Sequence, residues 1–120
     1  MDLLEVFKDS DDLVEFSAGD VILAEGDLGN HMYVVMEGQV SILLKDKVIA
    51  TATVGEIVGE MALINADIRS ATVVADTPCV LAYIDQGSFE SLLKHVPDFT
   101  LHVMHVLAGR LSSAYDMIEH

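Results

Sequence analysis

The chain divides into two regimes of hydrophobic patterning. Up to Asp85 the apolar residues fall in short runs, rich in valine and isoleucine. These runs are Val21 to Ala24, Met32 to Met36, Val40 to Leu44, Val48 to Thr53, Ala71 to Ala75 and Val80 to Ile84. Glycines 19, 26, 29, 38, 55 and 59 punctuate them. Short strands with regular turn signals predict a mainly β domain, an antiparallel roll or barrel of about eight strands. Glu25-Gly26-Asp27 and Glu37-Gly38-Gln39 are suited to tight turns, and Lys45-Asp46-Lys47 to a hairpin tip. After Asp85 the spacing lengthens. Asp85 or Ser88 can cap a helix through Lys94, which Pro97 ends, and a longer helix is predicted from about Asp98 to Ile118. On it, Leu101, Met104, Ala108, Leu111, Tyr115 and Ile118 alternate by three and four, a heptad seam. Val103, Val106, Leu107, Ala114 and Met117 add a second apolar surface. A helix with two apolar faces needs two partners. The roll supplies one; a second copy of the helix, in a homodimer through 98–118, is expected to supply the other. The expected organisation is one domain over 1–120, with the roll at about 12–85 and the helices at about 86–119.

Composition narrows the class. The chain has 120 residues, 52% of them hydrophobic, enough for a core. Its net charge of −14, from 20 acidic and 6 basic residues, makes nucleic acid and anionic membrane poor partners. The longest apolar run, Cys79 to Ile84, is far short of the roughly twenty residues that span a bilayer. The start, Met1-Asp2-Leu3-Leu4-Glu5, lacks the basic and apolar regions of a signal peptide. The single cysteine, Cys79, cannot form an internal disulfide and reads as a small core residue. These features suit a cytoplasmic protein. A metal-dependent enzyme built on a small barrel needs histidines on neighbouring strands. Only His31 lies in the strand region. His102 and His105, three apart on the long helix, read as a solvated face, so no metal and no catalysis are expected.

The segment with chemistry is Gly59 to Thr72, GEMALINADIRSAT. Arg69 is the sole cation between Val48 and Leu93 and lies nine residues after Glu60. Such an arginine either pairs with a protein carboxylate, Glu60 being the candidate, or receives an external anion. Its planar fork suits a phosphate. Gly59 permits close backbone approach and opens a short helical turn through Ile64, whose amides favour an anion. Glu60 can accept a hydrogen bond from a sugar hydroxyl. From the residues alone, both the internal ion pair and the phosphate site stay open.

The same segment, with the spacing Gly-Glu … Arg-Ser-Ala-Thr, resembles the phosphate-binding cassette of the cyclic-nucleotide-binding domain family. FSAGDVILAEGDLGNHMYVVMEGQVSI resembles the family's first barrel half, and VMHVLAGRLSSA the long helix of its catabolite-activator branch. The resemblance implies a stand-alone, non-catalytic sensor with a jelly-roll-like β-roll and C-terminal helices, and no cofactor. It implies a cyclic-nucleotide ligand, cyclic AMP ahead of cyclic GMP, because cyclic-GMP-selective relatives often carry threonine where Ser70 stands. By the same resemblance Arg69 pairs with the cyclic phosphate and Glu60 accepts from the ribose 2′-hydroxyl. Gly59, Met61, Ala62 and Ala71 offer backbone or close apolar contact, and Ser70 a hydroxyl. Two positions depart from the family pattern. Val58 replaces an aromatic before Gly-Glu and gives a smaller apolar contact. Ala114 replaces a threonine that reaches the base, leaving Tyr115, next along, as a candidate lid over it. The signal is expected to leave through the helix at 98–118 to an effector protein. The alternative is a degenerate binding fold that serves only as a dimerisation or docking module; the presence of both Glu60 and Arg69 weighs against it.

Overall fold

The computed structural model describes residues 1–66 and 68–119. A short helix α1 (Leu3–Phe7) leads in, capped by Asp2, whose carboxylate accepts from the Leu4 and Glu5 amides. Eight strands follow: β1 (Leu13–Phe16), β2 (Val21–Leu23), β3 (His31–Glu37), β4 (Val40–Leu44), β5 (Lys47–Ala52), β6 (Ile57–Val58), β7 (Thr72–Ala75) and β8 (Cys79–Asp85). They form two four-stranded antiparallel sheets, ordered β1-β8-β3-β6 and β2-β7-β4-β5. This is the expected β-roll, followed by helices α2 (Gln86–His95) and α3 (Pro97–Glu119).

Side-chain alternation explains how the layers stack. In β3, Tyr33 and Val35 point between the two sheets, where they meet Val40, Ile42, Val58, Val73 and Leu81. Met32 and Val34 point the other way and meet Leu3, Ile57, Phe89, Phe99 and Val103. β3 is therefore buried on both faces and reads as a continuous apolar run for that reason. The hairpin between β4 and β5 turns through Lys45 and Asp46, both at positive φ (50° and 67°). That is the geometry of a two-residue turn whose twist matches the flanking strands.

Asp85 accepts from the Ser88 amide and so caps α2. Pro97 stands at the first position of α3, where its missing N–H costs nothing. Phe89 of α2 and Phe99 of α3 meet edge to face, ring centroids 5.9 Å apart, and fix the angle between the helices. Phe99 and Val103 are buried, with Val106 and Leu107 partly so. On the opposite side Leu101, Met104, Leu111, Tyr115 and Ile118 are all more than half exposed. Of the second apolar surface, Ala114 and Met117 do not reach the core; they line an apolar hollow with Leu44, Ile49 and Ala50.

Candidate ligand-binding site

The site begins where β6 ends. Gly59 sits at φ +84°, and a Cβ there would lie 2.8 Å from Leu23 Cδ1 and 2.9 Å from Arg69 Nη1, so the position is glycine on two counts. Glu60 and Met61 start a helical turn, which widens into a π-helical turn over Ala62–Ala66 in place of the expected regular one. Such wide turns occur often at functional sites because they re-aim neighbouring groups. Ala62 and Leu63 are buried beneath the turn.

Arg69 arrives from the other side. Its backbone is tied to the turn before β3: the Arg69 amide donates to Asp27 O (2.8 Å), and the Gly26 amide donates to Arg69 O (2.9 Å). The residue is 4% exposed. Nη1 donates to Gly59 O at 2.8 Å and Nη2 to His31 O at 2.7 Å. Beneath lies an aromatic cluster in which His31 stacks on Tyr83 (4.8 Å) and meets Tyr33 edge-on (5.2 Å). Burial lowers the pKa of Arg69 from its ordinary value, opposed by Tyr33 and Glu60, and a guanidinium stays charged nonetheless. Burial, and next the charge on Arg69, lowers that of His31.

Glu60 does not pair with Arg69, which removes the internal ion pair the sequence left open. Its carboxylate is 1% exposed and receives Arg110 Nη1 of α3 on Oε1 at 2.6 Å. Arg110 Nη2 also donates to Ile57 O. The other carboxylate oxygen, Oε2, is buried with no partner among the described residues. A buried acceptor left in this state costs free energy, so the oxygen is an opening for a donor from outside. Burial raises the Glu60 pKa, against the pull of the Arg110 charge.

Gly59, Glu60, Met61, Ala62, Arg69, Ser70 and Ala71 line one cleft of about 50 Å³. Leu23, Val73 and Arg110 complete the wall. Two of the residues singled out in the sequence lie elsewhere. Val58 is fully buried in the core between the sheets, since β6 alternation turns it inward. Tyr115 does not line the cleft; it stands 58% exposed on the α3 seam, beyond Arg110. Arg110 is the residue that sequence reasoning missed. Its signal was a lone cation beside a heptad seam in an acidic chain, in need of a carboxylate partner fifty positions away. Among the described residues no group of three or more His, Cys, Asp or Glu could hold a metal ion, and no helix is long and apolar enough to cross a membrane.

The β-roll thus carries a buried arginine and a buried glutamate in the lining of one cleft. The chain belongs to the cyclic nucleotide-binding domain family, whose model matches residues 13–96. Among curated proteins it is similar to the cAMP-dependent protein kinase regulatory subunit of Schizosaccharomyces pombe, 37% identical over 86 residues, which cover 71% of this chain and 21% of the relative. It is also similar to the cGMP-dependent protein kinase of Plasmodium berghei, 32% identical over 81 residues, 68% of this chain and 10% of the relative. The chain thus spans about a fifth or less of the length of these relatives. Among solved structures, the catabolite activator protein of Thermus thermophilus superposes with a TM-score of 0.78 at 27% identity, covering 89% of this chain and 53% of that one.

Proposed function

We propose that this chain is a non-catalytic, cytoplasmic regulatory domain that binds a cyclic nucleotide in the cleft between Glu60 and Arg69. Arg69 receives the cyclic phosphate, and the unpartnered Glu60 Oε2 accepts the ribose 2′-hydroxyl. Gly59, Met61, Ala62, Ser70 and Ala71 close around the sugar-phosphate. The observation that carries this reading is the pair of buried, oppositely charged side chains that face one cleft without bonding to each other. Cyclic AMP is the preferred ligand. Ser70 in the place of threonine supports that choice, as does the relative named as cAMP-dependent.

The cleft of about 50 Å³ is a fraction of the roughly 300 Å³ or more that small-molecule sites enclose. Binding therefore has to open it, and Arg110, which ties α3 to Glu60, is the wall that gives way. The nucleotide then repositions α3, and its exposed seam passes the change to a second copy of the chain or to an effector protein. Tyr115 belongs to that seam and reaches the base only if α3 moves. Differential affinity for the two placements of α3 is what the ligand must supply.

Calorimetric titration with cyclic AMP and cyclic GMP tests the reading. Cyclic AMP should bind at least as tightly; a tenfold preference for cyclic GMP overturns the selectivity. Failure of either nucleotide to bind at millimolar concentration overturns the function itself. Arg69→Ala should lose roughly thirtyfold to several-thousandfold in affinity, the effect of removing one partner of a partly desolvated charged contact. Arg69→Lys should recover only part of that, because an ammonium cannot reproduce the fork.

A further inference from the structure

Arg69 is surrounded by the segment that precedes β3, and the closest element of that wrapping is a residue with no side chain. Asp27 O and the Gly26 amide hold the Arg69 backbone, Leu28 and Ile68 form an antiparallel bridge, and His31 O takes Nη2. Between them lies Gly29. A Cβ built there would fall far inside van der Waals contact of Arg69 Nε and Cζ, and 2.9 Å from Cδ. No other group lies as near that Cβ. Gly29 does not adopt the left-handed backbone that glycines 19, 26, 38, 55 and 59 adopt. A left-handed backbone therefore does not demand glycine at 29, and the atoms nearest an added Cβ all belong to Arg69.

We propose that Gly29 is a positioning residue for the phosphate-binding arginine: the space left by its missing side chain is the berth in which the Arg69 guanidinium lies. The guanidinium ends a flexible side chain, so a methyl group at 29 does not unfold the domain. It pushes Nε and Cζ aside by about an ångström, and the bonds to Gly59 O and His31 O cannot both survive such a shift. The fork is then no longer held where an anion in the cleft would meet it, and affinity that depended on a fixed geometry is lost. The inference rests on the reading of Arg69 as the phosphate partner, and it adds a residue that does not line the cleft.

The experiment is a cycle of wild type, Gly29→Ala, Arg69→Ala and the double variant, each titrated with cyclic AMP and melted without ligand. Gly29→Ala should fold and lose roughly tenfold or more in affinity. Without ligand it should melt lower than wild type, yet the same substitution in the Arg69→Ala background should change neither melting temperature nor residual affinity by more than the error. Wild-type affinity in Gly29→Ala beside lost affinity in Arg69→Ala overturns the proposal. So does an equal fall in melting temperature in both backgrounds, which would place the clash elsewhere. If wild type binds neither nucleotide, the functional reading fails, and the ligand-free melting cycle still decides whether Gly29 sets the position of Arg69.

Discussion

Arg110→Ala isolates the contact that joins α3 to the cleft. In the wild type this side chain is bonded to Glu60 Oε1 and Ile57 O. Its removal leaves a carboxylate that is 1% exposed with neither oxygen bonded among the described residues, and a buried carbonyl without its donor. Breaking a buried pair by deleting one partner costs about 3–5 kcal/mol. The Arg110 side chain is 25% exposed, so water can enter the vacated space and the cost falls below that range, to about 2–3 kcal/mol. For a domain of this size that is a fall of about 8–15 °C in melting temperature. The measurement is a thermal melt, without ligand, of wild type, Arg110→Ala, Glu60→Gln and the double variant. Glutamine at 60 no longer carries a charge that needs compensation, so Arg110→Ala should cost at least about 1 kcal/mol less in that background. The sign with pH is also fixed. Removing Arg110 removes the downward pull on the Glu60 pKa, so the carboxyl protonates more readily, and the deficit of Arg110→Ala should shrink as pH falls from 7 toward 4.5, the ordinary value for that group. An equal cost in both backgrounds, or a deficit that does not change with pH, would refute the reasoning.

Glu60 itself gives a second pH test: its folded pKa is raised by burial, so its contribution to stability is fully present below the unfolded value near 4.5 and is lost as pH rises through the folded pKa. The melting temperature of Glu60→Gln relative to wild type should therefore climb between pH 4.5 and 7, and a decline would show a carboxyl held down rather than up. Leu111→Glu puts a charge in the middle of the exposed α3 seam; sedimentation should show any dimer of the wild type dissociated in the variant, with ligand-free stability within about 0.5 kcal/mol because the side chain is not buried in the monomer. An unchanged oligomer would remove the seam from the interface.

Elements whose signals are local were legible in the sequence. β4 runs from Val40 to Leu44 as the apolar run does, Asp85 caps α2, α2 ends just before Pro97, and Lys45-Asp46 turns the hairpin. Elements that exist only through their neighbours were not. β1 pairs on one side with β8 alone, carries Glu15, and buries no residue completely. β6 is two residues long and owes its place to Tyr33 and Val34 opposite. The cleft was legible as far as its residues are contiguous, since Gly59 to Ala62 and Arg69 to Ala71 lie close in sequence. Arg110 was not, because its pairing with Glu60 is set by how α3 crosses the sheet, and no short-range pattern encodes that. Tyr115, offered by the sequence as a lid or a seam residue, stands exposed on the α3 seam and does not line the cleft.

The alternation at β6 bears on how the chain can vary in length. Ile57 points into the layer under the helices and Val58 into the core between the sheets, and Gly59 and Glu60 follow at once. One residue inserted between Glu56 and Gly59 would exchange the two faces, send an isoleucine-sized side chain to the wrong core and carry the glutamate out of register with Arg110. The hairpin at Lys45-Asp46 stands under no such constraint, because both residues are exposed and the strands it joins could simply lengthen. Homologous chains should therefore differ in length at the hairpin and keep an unvarying count of residues from β6 to the glutamate.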